Sequence, residues 1–272
     1  MKRFAVIALL LAVAAGCATS PTGRSQLMLI SPEAAIVESK KAYLSTVSEL
    51  DAENKLVDDP KLADKVAVIT GRLVTEAIAM YPQSADWEWS VAIIDDPETV
   101  NAWCMAGGRM AIYTGLIEKV QPSDDEIAQV MGHEIAHALA NHSAEKMSMS
   151  MASSLGVIAV GIASDNTGAA MAAAAAAAAV AVTLPNSRTA ETEADRIGIE
   201  LAAKAGYDPA AAATLWQKMG ALPGSSPPQF LSTHPSPETR QSELAALEPQ
   251  MMPYYQEGGR KPTRAVQTIS AL

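Results

Sequence analysis

A capped amphipathic helix carrying two histidines four residues apart is the feature that most constrains this chain. Ser123-Asp124-Asp125-Glu126 has the form of a capping box, with the Ser hydroxyl and the Glu carboxylate satisfying each other's backbone N–H groups. Ile127, Val130, Met131, Ile135 and Leu139 follow at helical spacing, which dictates a core face and predicts a helix to about Lys146. His133-Glu134-Ile135-Ala136-His137 lies inside it. Four residues make about 400° of turn, so the two imidazoles project about 40° apart and are separated by about 6 Å along the axis. Both can then reach one tetrahedral zinc ion, which takes histidine nitrogen at about 2.0–2.1 Å. Such an ion acidifies water and polarises a carbonyl, and Glu134 lies beside the pair, placed to remove a proton and pass it to a leaving amine.

A catalytic zinc needs a third protein ligand. Glu191 and Glu193 are the downstream candidates. Two residues apart on a helix, they point about 200° apart, so only one can face the ion. Asp195 shares the face of Glu191. This favours Glu191 as the ligand and Asp195 as the acceptor that orients a histidine ring, with Glu193 facing solvent. His142 lies about 140° off the His137 direction and reads as structural, a cap near the helix end.

The rest of the chain is compatible with one well-packed domain. Of its 272 residues, 49% are apolar, enough to bury a core and to exclude a disordered chain. The net charge of −10 disfavours partners that present a phosphate backbone, so nucleic acid is not expected. Two cysteines cannot make a disulfide scaffold, and Cys104 reads as a small buried hydrophobe. At the start, basic Lys2-Arg3, an apolar run from Phe4 to Ala15 and the end Ala14-Ala15-Gly16-Cys17 read as a secretory signal over 1–16. Small residues before a cysteine resemble the bacterial lipobox, with Ala14 in place of the usual Leu. That resemblance implies cleavage before Cys17 and its acylation, the alternative being an ordinary cleaved signal with an incidental cysteine.

Residues 17–30 are polar, with Pro21 and Gly23, and read as a tether. Helices are expected from Pro32 to about Leu50 and from Pro60 to Met80. Trp87 to Ile94, Val100 to Met105 and Arg109 to Thr114 read as strands of a small sheet of three or four, with a turn at Gly107-Gly108. Residues 147–184 are apolar and read as two short helices split at Asp165-Asn166, a lid beside the site that rests on a membrane, or a spanning hairpin. Asn186 or Ser187 should cap the next helix to about Ala205, Asp208-Pro209 another, and Ser236-Pro237 a last one to Leu247. Residues 31–250 form the expected domain, and 251–272 a loose tail.

His133-Glu134-Ile135-Ala136-His137 followed by Glu191-Thr192-Glu193-Ala194-Asp195-Arg196 resembles the zinc metallopeptidases related to the CAAX prenyl endopeptidase and HtpX, in particular their periplasmic lipoprotein branch. Asn101-Ala102-Trp103 with Gly107-Gly108, and His234-Pro235 with Pro237 and Arg240, resemble two further segments of that family. The resemblance implies a zincin-like α+β fold, mostly helical, with a small mixed sheet over the zinc helix. It implies one Zn²⁺ on His133, His137 and Glu191, with Glu134 as general base and acid. Asn101, Ala102 and Trp103 would be an edge strand to which an extended peptide adds. His234 would occupy or guard the open metal position or stabilise the oxyanion, and Arg240 would donate to the oxyanion or the substrate carbonyl. Read from the residues alone, these remain a plain strand, a locally bonded loop histidine and a surface arginine. The implied function is cleavage of misfolded or stalled envelope proteins by an enzyme lipid-anchored at Cys17 on the periplasmic face of the outer membrane. Assembly machinery or another periplasmic protease would be its partners. The alternative is a chaperone or assembly adaptor whose peptidase is latent.

Overall fold

The computed structural model describes residues 17–163, 167–178, 184–223, 229–234, 240–257 and 263–270. The expected signal at 1–16, the break at Asp165-Asn166 and the Ser236-Pro237 cap lie outside them.

The chain begins with a hairpin, β1 (Cys17–Thr19) and β2 (Ser25–Leu27), in which Cys17 pairs with Leu27. Helices α1 (Pro32–Ala52) and α2 (Pro60–Met80) follow. Each starts with proline and is capped by the residue before it, Ser31 accepting from the Ala34 N–H and Asp59 from the N–H groups of Lys61 and Leu62. Strands β3 (Ser90–Ile94), β4 (Ala102–Met105) and β5 (Arg109–Tyr113) build the sheet, and α3 (Thr114–Val120) leads to α4 (Asp124–Leu139). Then come α5 (His142–Ala163), α6 (Thr167–Ala178), α7 (Leu184–Lys204), α8 (Ala211–Gly220), α9 (Gln229–Thr233), α10 (Arg240–Glu257) and β6 (Gln267–Ile269).

The sheet order is β4-β5-β3-β6. β3 runs parallel to both neighbours, with Ala92 opposite Ala111 and Ile269, while β4 and β5 form an antiparallel pair joined through Gly107-Gly108. Both glycines have positive φ, 87° and 84°, as the tight turn demands. This is the mixed sheet in a mostly helical α+β fold that the sequence predicts. The main core lies between the sheet and α2, α4 and α7, through Leu73, Ile93, Ile112, Met131, Ile135 and Leu201. Tyr43 and Val47 of α1 seal the other sheet face.

Several boundaries differ from expectation for local reasons. α4 stops at Leu139 because Asn141 takes a left-handed φ of 57°, which asparagine tolerates, and α5 restarts at His142. Trp87 to Trp89 precede the strand rather than joining it; the Trp89 indole donates to the Ser84 carbonyl at 3.0 Å. α7 begins at Leu184, ahead of Asn186 and Ser187. α8 begins at Ala211, after a turn in which Asp208 accepts from the Ala210 N–H.

The stretch expected to be loose after Pro249 continues α10 through Pro249 and Pro253 to Glu257, because Leu244 and Met251 bury against Ile199 and Ala203 of α7. Val266 and Ile269 are buried and tie the last segment to the sheet. The 17–30 segment is likewise not a simple tether, since Gln26 is buried and the hairpin contacts α5. Among the described residues no helix is long and apolar enough to cross a membrane. α5 exposes Met147, Met151 and Ile158.

The capping box of α4 is present. Ser123 Oγ accepts from the Glu126 N–H at 3.2 Å and Glu126 Oε2 from the Ser123 N–H at 2.8 Å. Glu126 also accepts from Thr214 at 2.9 Å and from Lys218 at 2.6 Å, joining α8 to the start of α4. Burial opposes its charge, yet these donors hold its carboxyl below the usual range. A depressed carboxyl stabilises the fold above its unfolded pKa and loses that contribution as pH falls through the folded value. Glu126→Gln should therefore destabilise the protein at pH 7 by about 1–2 kcal/mol. The gap to the parent should close as urea melts are repeated below about pH 4.

Candidate metal centre

Helices α4 and α7 cross closely enough to bring residues separated by more than fifty positions into one site. The crossing point is glycine on both sides. A Cβ on Gly132 would meet the Gly198 carbonyl oxygen at 3.0 Å, and a Cβ on Gly198 would meet the His133 N and Cα at 2.8 Å. Backbone thus lies on backbone beside the first histidine, and Glu191, two turns before Gly198, reaches the space over α4.

There the donors converge. One ligand atom from each of His133, His137, Glu191 and His234 lies within 4.8 Å of the others. His137 Nε2 is 3.0 Å from His133 Nε2, and Glu191 places Oε2 3.3 Å from His133 Nε2 and Oε1 3.5 Å from His137 Nε2. His234, just after α9, brings Nδ1 to 3.1 Å from Glu191 Oε2. Phe230 of α9 stacks on the His234 ring, and the Phe230 N–H donates to the Val100 carbonyl at 3.0 Å, tying α9 to the residues before β4. Three imidazoles and a carboxylate around a gap of that size form a donor set suited to a divalent transition metal.

The surroundings fix each donor. Behind His133, Nδ1 is 3.0 Å from Asp195 Oδ1, leaving Nε2 toward the gap. Asp195 in turn accepts from Arg240 Nη2, and the Arg240 guanidinium lies 3.7 Å over the Trp216 ring. Arg240 also approaches Glu191 Oε2 through Nη1 at 3.4 Å. It is buried, neither exposed on the surface nor free to swing. Burial and Arg240 oppose a charge on His133, but Asp195 and Glu191 outweigh them and raise its pKa to about 9 in the metal-free protein. Burial lowers His137. It would raise Glu191 as well, yet the three histidine contacts hold that carboxyl well below its usual range.

Glu134 is buried and its pKa is raised by burial. Its Oε1 lies 3.4 Å from His234 Nε2 and makes no hydrogen bond among the described residues. A buried carboxylate oxygen left open beside a nitrogen-rich gap is the geometry that a proton acceptor requires.

Ala102 and Trp103 begin β4, the edge strand, which borders α4, and Asn101 immediately precedes it. Ala102 is buried, the Trp103 ring packs edge-on against Tyr43, and Asn101 Oδ1 is buried without a hydrogen-bond partner among the described residues. Cys104 is a buried free thiol, raised above its usual pKa by burial. Cys17 is exposed and free at the first residue of β1.

The sequence reading missed two residues around the site. Glu193 does not face solvent. It is buried, because the N-terminal hairpin covers that side of α7, and Thr22 and Arg24 bond to it. His142 begins α5 rather than capping α4, and its ring spans from His137 to Glu193. Neither carries a local signal, since His142 lies between Asn141 and Ser143 and Glu193 in the polar stretch Arg188 to Arg196; only the tertiary cover reveals them.

The family model described as peptidase family M48 matches residues 60–248. The chain belongs to peptidase family M48. It is 37% identical over 157 residues to mitochondrial metalloendopeptidase OMA1 of Arabidopsis thaliana, covering 58% of this chain and 31% of that one. It is 31% identical over 242 residues to the mitochondrial metalloendopeptidase OMA1 of Bos taurus, covering 85% and 46%. It is 30% identical over 216 residues to the beta-barrel assembly-enhancing protease of Escherichia coli strain K12, covering 76% and 43%. The chain thus spans between about a third and a half of the length of these curated relatives.

Gly198→Ala should damage the site from outside it. Alanine gains about 1 kcal/mol of helix propensity. The new methyl group, however, meets backbone that cannot yield, and overpacking costs up to about 3 kcal/mol. The expected outcome is a lower Tm together with weaker metal uptake, measured by calorimetry and by metal titration.

Proposed function

We propose that this protein is a zinc-dependent endopeptidase that hydrolyses peptide bonds in unfolded polypeptide segments. The observation that carries the reading is the convergence of His133, His137, Glu191 and His234 within 4.8 Å beside the open carboxylate of Glu134. His133, His137 and Glu191 hold the ion. Glu134 takes the proton of the attacking water and returns it to the leaving amine; its burial keeps the carboxylate basic for that task. Asp195 orients His133, and Arg240, tied to both Asp195 and Glu191, positions the ligand shell rather than the substrate. β4 receives the substrate as an added strand, its outer edge being unpaired in the sheet order.

A second reading follows from His234. Its ring sits among the donors and within 3.4 Å of Glu134, so it fills the position that substrate and water need. In that reading the peptidase is latent until His234 withdraws, and client binding dominates. The substrate class is misfolded or stalled envelope protein, and the enzyme is anchored through acylated Cys17 on the periplasmic face of the outer membrane, where assembly machinery is within reach. The kinship with a protease named for enhancing β-barrel assembly supports this substrate class.

Glu134→Gln should lower casein cleavage by at least about 100-fold while the protein retains one zinc per chain by elemental analysis. Absence of stoichiometric zinc from the parent protein, or undiminished cleavage by the variant, would sink the reading.

A further inference from the structure

The two histidines of α4 are held from behind in different ways. His133 Nδ1 leans directly on Asp195, whereas behind His137, on its Nδ1 side, the neighbour among the described residues is another imidazole and not a carboxylate. His137 Nδ1 lies 2.8 Å from His142 Nδ1, and His142 Nε2 lies 3.1 Å from Glu193 Oε2. Glu193 is locked in turn by the N-terminal hairpin. Arg24 Nε donates to Glu193 Oε2 at 2.9 Å and the Thr22 hydroxyl to Oε1 at 2.6 Å. The same Arg24 forms two 2.6 Å bonds to Glu145 in the first turn of α5. Gln26 Nε2 donates to the Ala140 carbonyl at 2.8 Å and to Glu145 at 2.9 Å. The hairpin therefore grips the Ala140–His142 junction and the far end of the hydrogen-bond chain at once.

We propose that His142 and Glu193 are positioning residues for the metal ligand His137, and that seating of the N-terminal hairpin through Arg24 sets how tightly the metal is held. This rests on the reading of His137 as a ligand. If His137 uses Nε2, its Nδ1 carries the proton and donates to His142 Nδ1. His142 then carries its own proton on Nε2 and donates to Glu193, whose acceptor-only carboxylate fixes that tautomer. Every donor in the chain meets an acceptor, and only one arrangement of protons satisfies all of them. Without the hairpin, Glu193 would lose Arg24 and Thr22, His142 would lose its fixed tautomer, and His137 its fixed ring plane. An outer partner of this kind is worth about 10–100-fold in metal affinity.

The test is zinc affinity of the full chain by competition with a chelator of known affinity, with the Tm of the metal-free protein recorded for each variant. His142→Phe keeps ring volume and removes both hydrogen bonds; it should weaken zinc by about 10–100-fold. His142→Gln can accept and donate in the same order and should recover part of that loss. Arg24→Ala should weaken zinc in the same direction, although Arg24 touches no ligand. Should His142→Phe and Arg24→Ala both bind zinc as the parent does, the proposal is overturned. It is overturned equally if zinc affinity in these variants merely tracks the metal-free Tm, with His142→Gln no better than His142→Phe. His137→Ala separates the two readings. Parental zinc affinity in that variant would overturn the proposed site itself, whereas loss there with no effect at His142 would overturn only the positioning chain.

Discussion

The site exists because two helices touch at glycine. Zinc-type coordination asks for a carboxylate within a few ångströms of two imidazoles, and here that carboxylate comes from a helix that starts about fifty residues later. A side chain at Gly132 or Gly198 would hold the axes farther apart. With both positions bare, His133 lies directly under α7, and Glu191 and Asp195, one turn apart on the same face, descend on opposite sides of its ring. The apolar contacts of Met131, Ile135, Ile197 and Leu201 then keep the crossing in place. Dispersion and burial supply the force, and the absence of two β-carbons supplies the geometry.

Around that crossing the protein sets charged groups that are buried or nearly so. Asp195 with Arg240 and Glu193 with Arg24 form two carboxylate–guanidinium pairs, one behind each histidine of α4. Buried ion pairs rarely add much net stability, because desolvation offsets the attraction. Their value here is directional. Each fixes the plane of an imidazole, directly for His133 and through His142 for His137. The two arginines come from opposite ends of the chain, so the ring planes are set by elements that are not neighbours in sequence.

The sequence carried the helix of His133 and His137, its capping box, and the facing of Glu191 and Asp195 toward that helix with Glu193 turned away, since all follow from 3.6-residue periodicity and short-range hydrogen bonding. The same periodicity gave α2 its limits at Pro60 and Met80. What it could not carry was tertiary cover. Glu193 points away from the gap as the angle requires, but whether that direction is solvent depends on the hairpin, a contact across about 170 residues. Residues 17–30 read as a tether because they are polar and carry Pro21 and Gly23, with nothing nearby in sequence to show what their longer side chains reach. Their partners are Glu145, Glu193 and the Ala140 carbonyl. The helix after Pro249 was hidden for the opposite reason, since proline breaks local hydrogen bonding while Leu244 and Met251 hold α10 on α7.

Strand β6 has a consequence for how the molecule is made. β3 spans residues 90–94, and its parallel neighbour comes from residues 267–269. Closing a loop of that length is slow relative to the hairpins and helices around it. During synthesis the sheet must wait with Ser90, Val91 and Ala92 exposing an unsatisfied flank, and it is completed only after residue 269 has been made. The sheet that packs beneath the helices of His133 and Glu191 is thus complete only once the far end of the chain has joined it. A nascent chain stalled before that point would display a sticky margin of its own, the kind of lesion that cellular surveillance recognises.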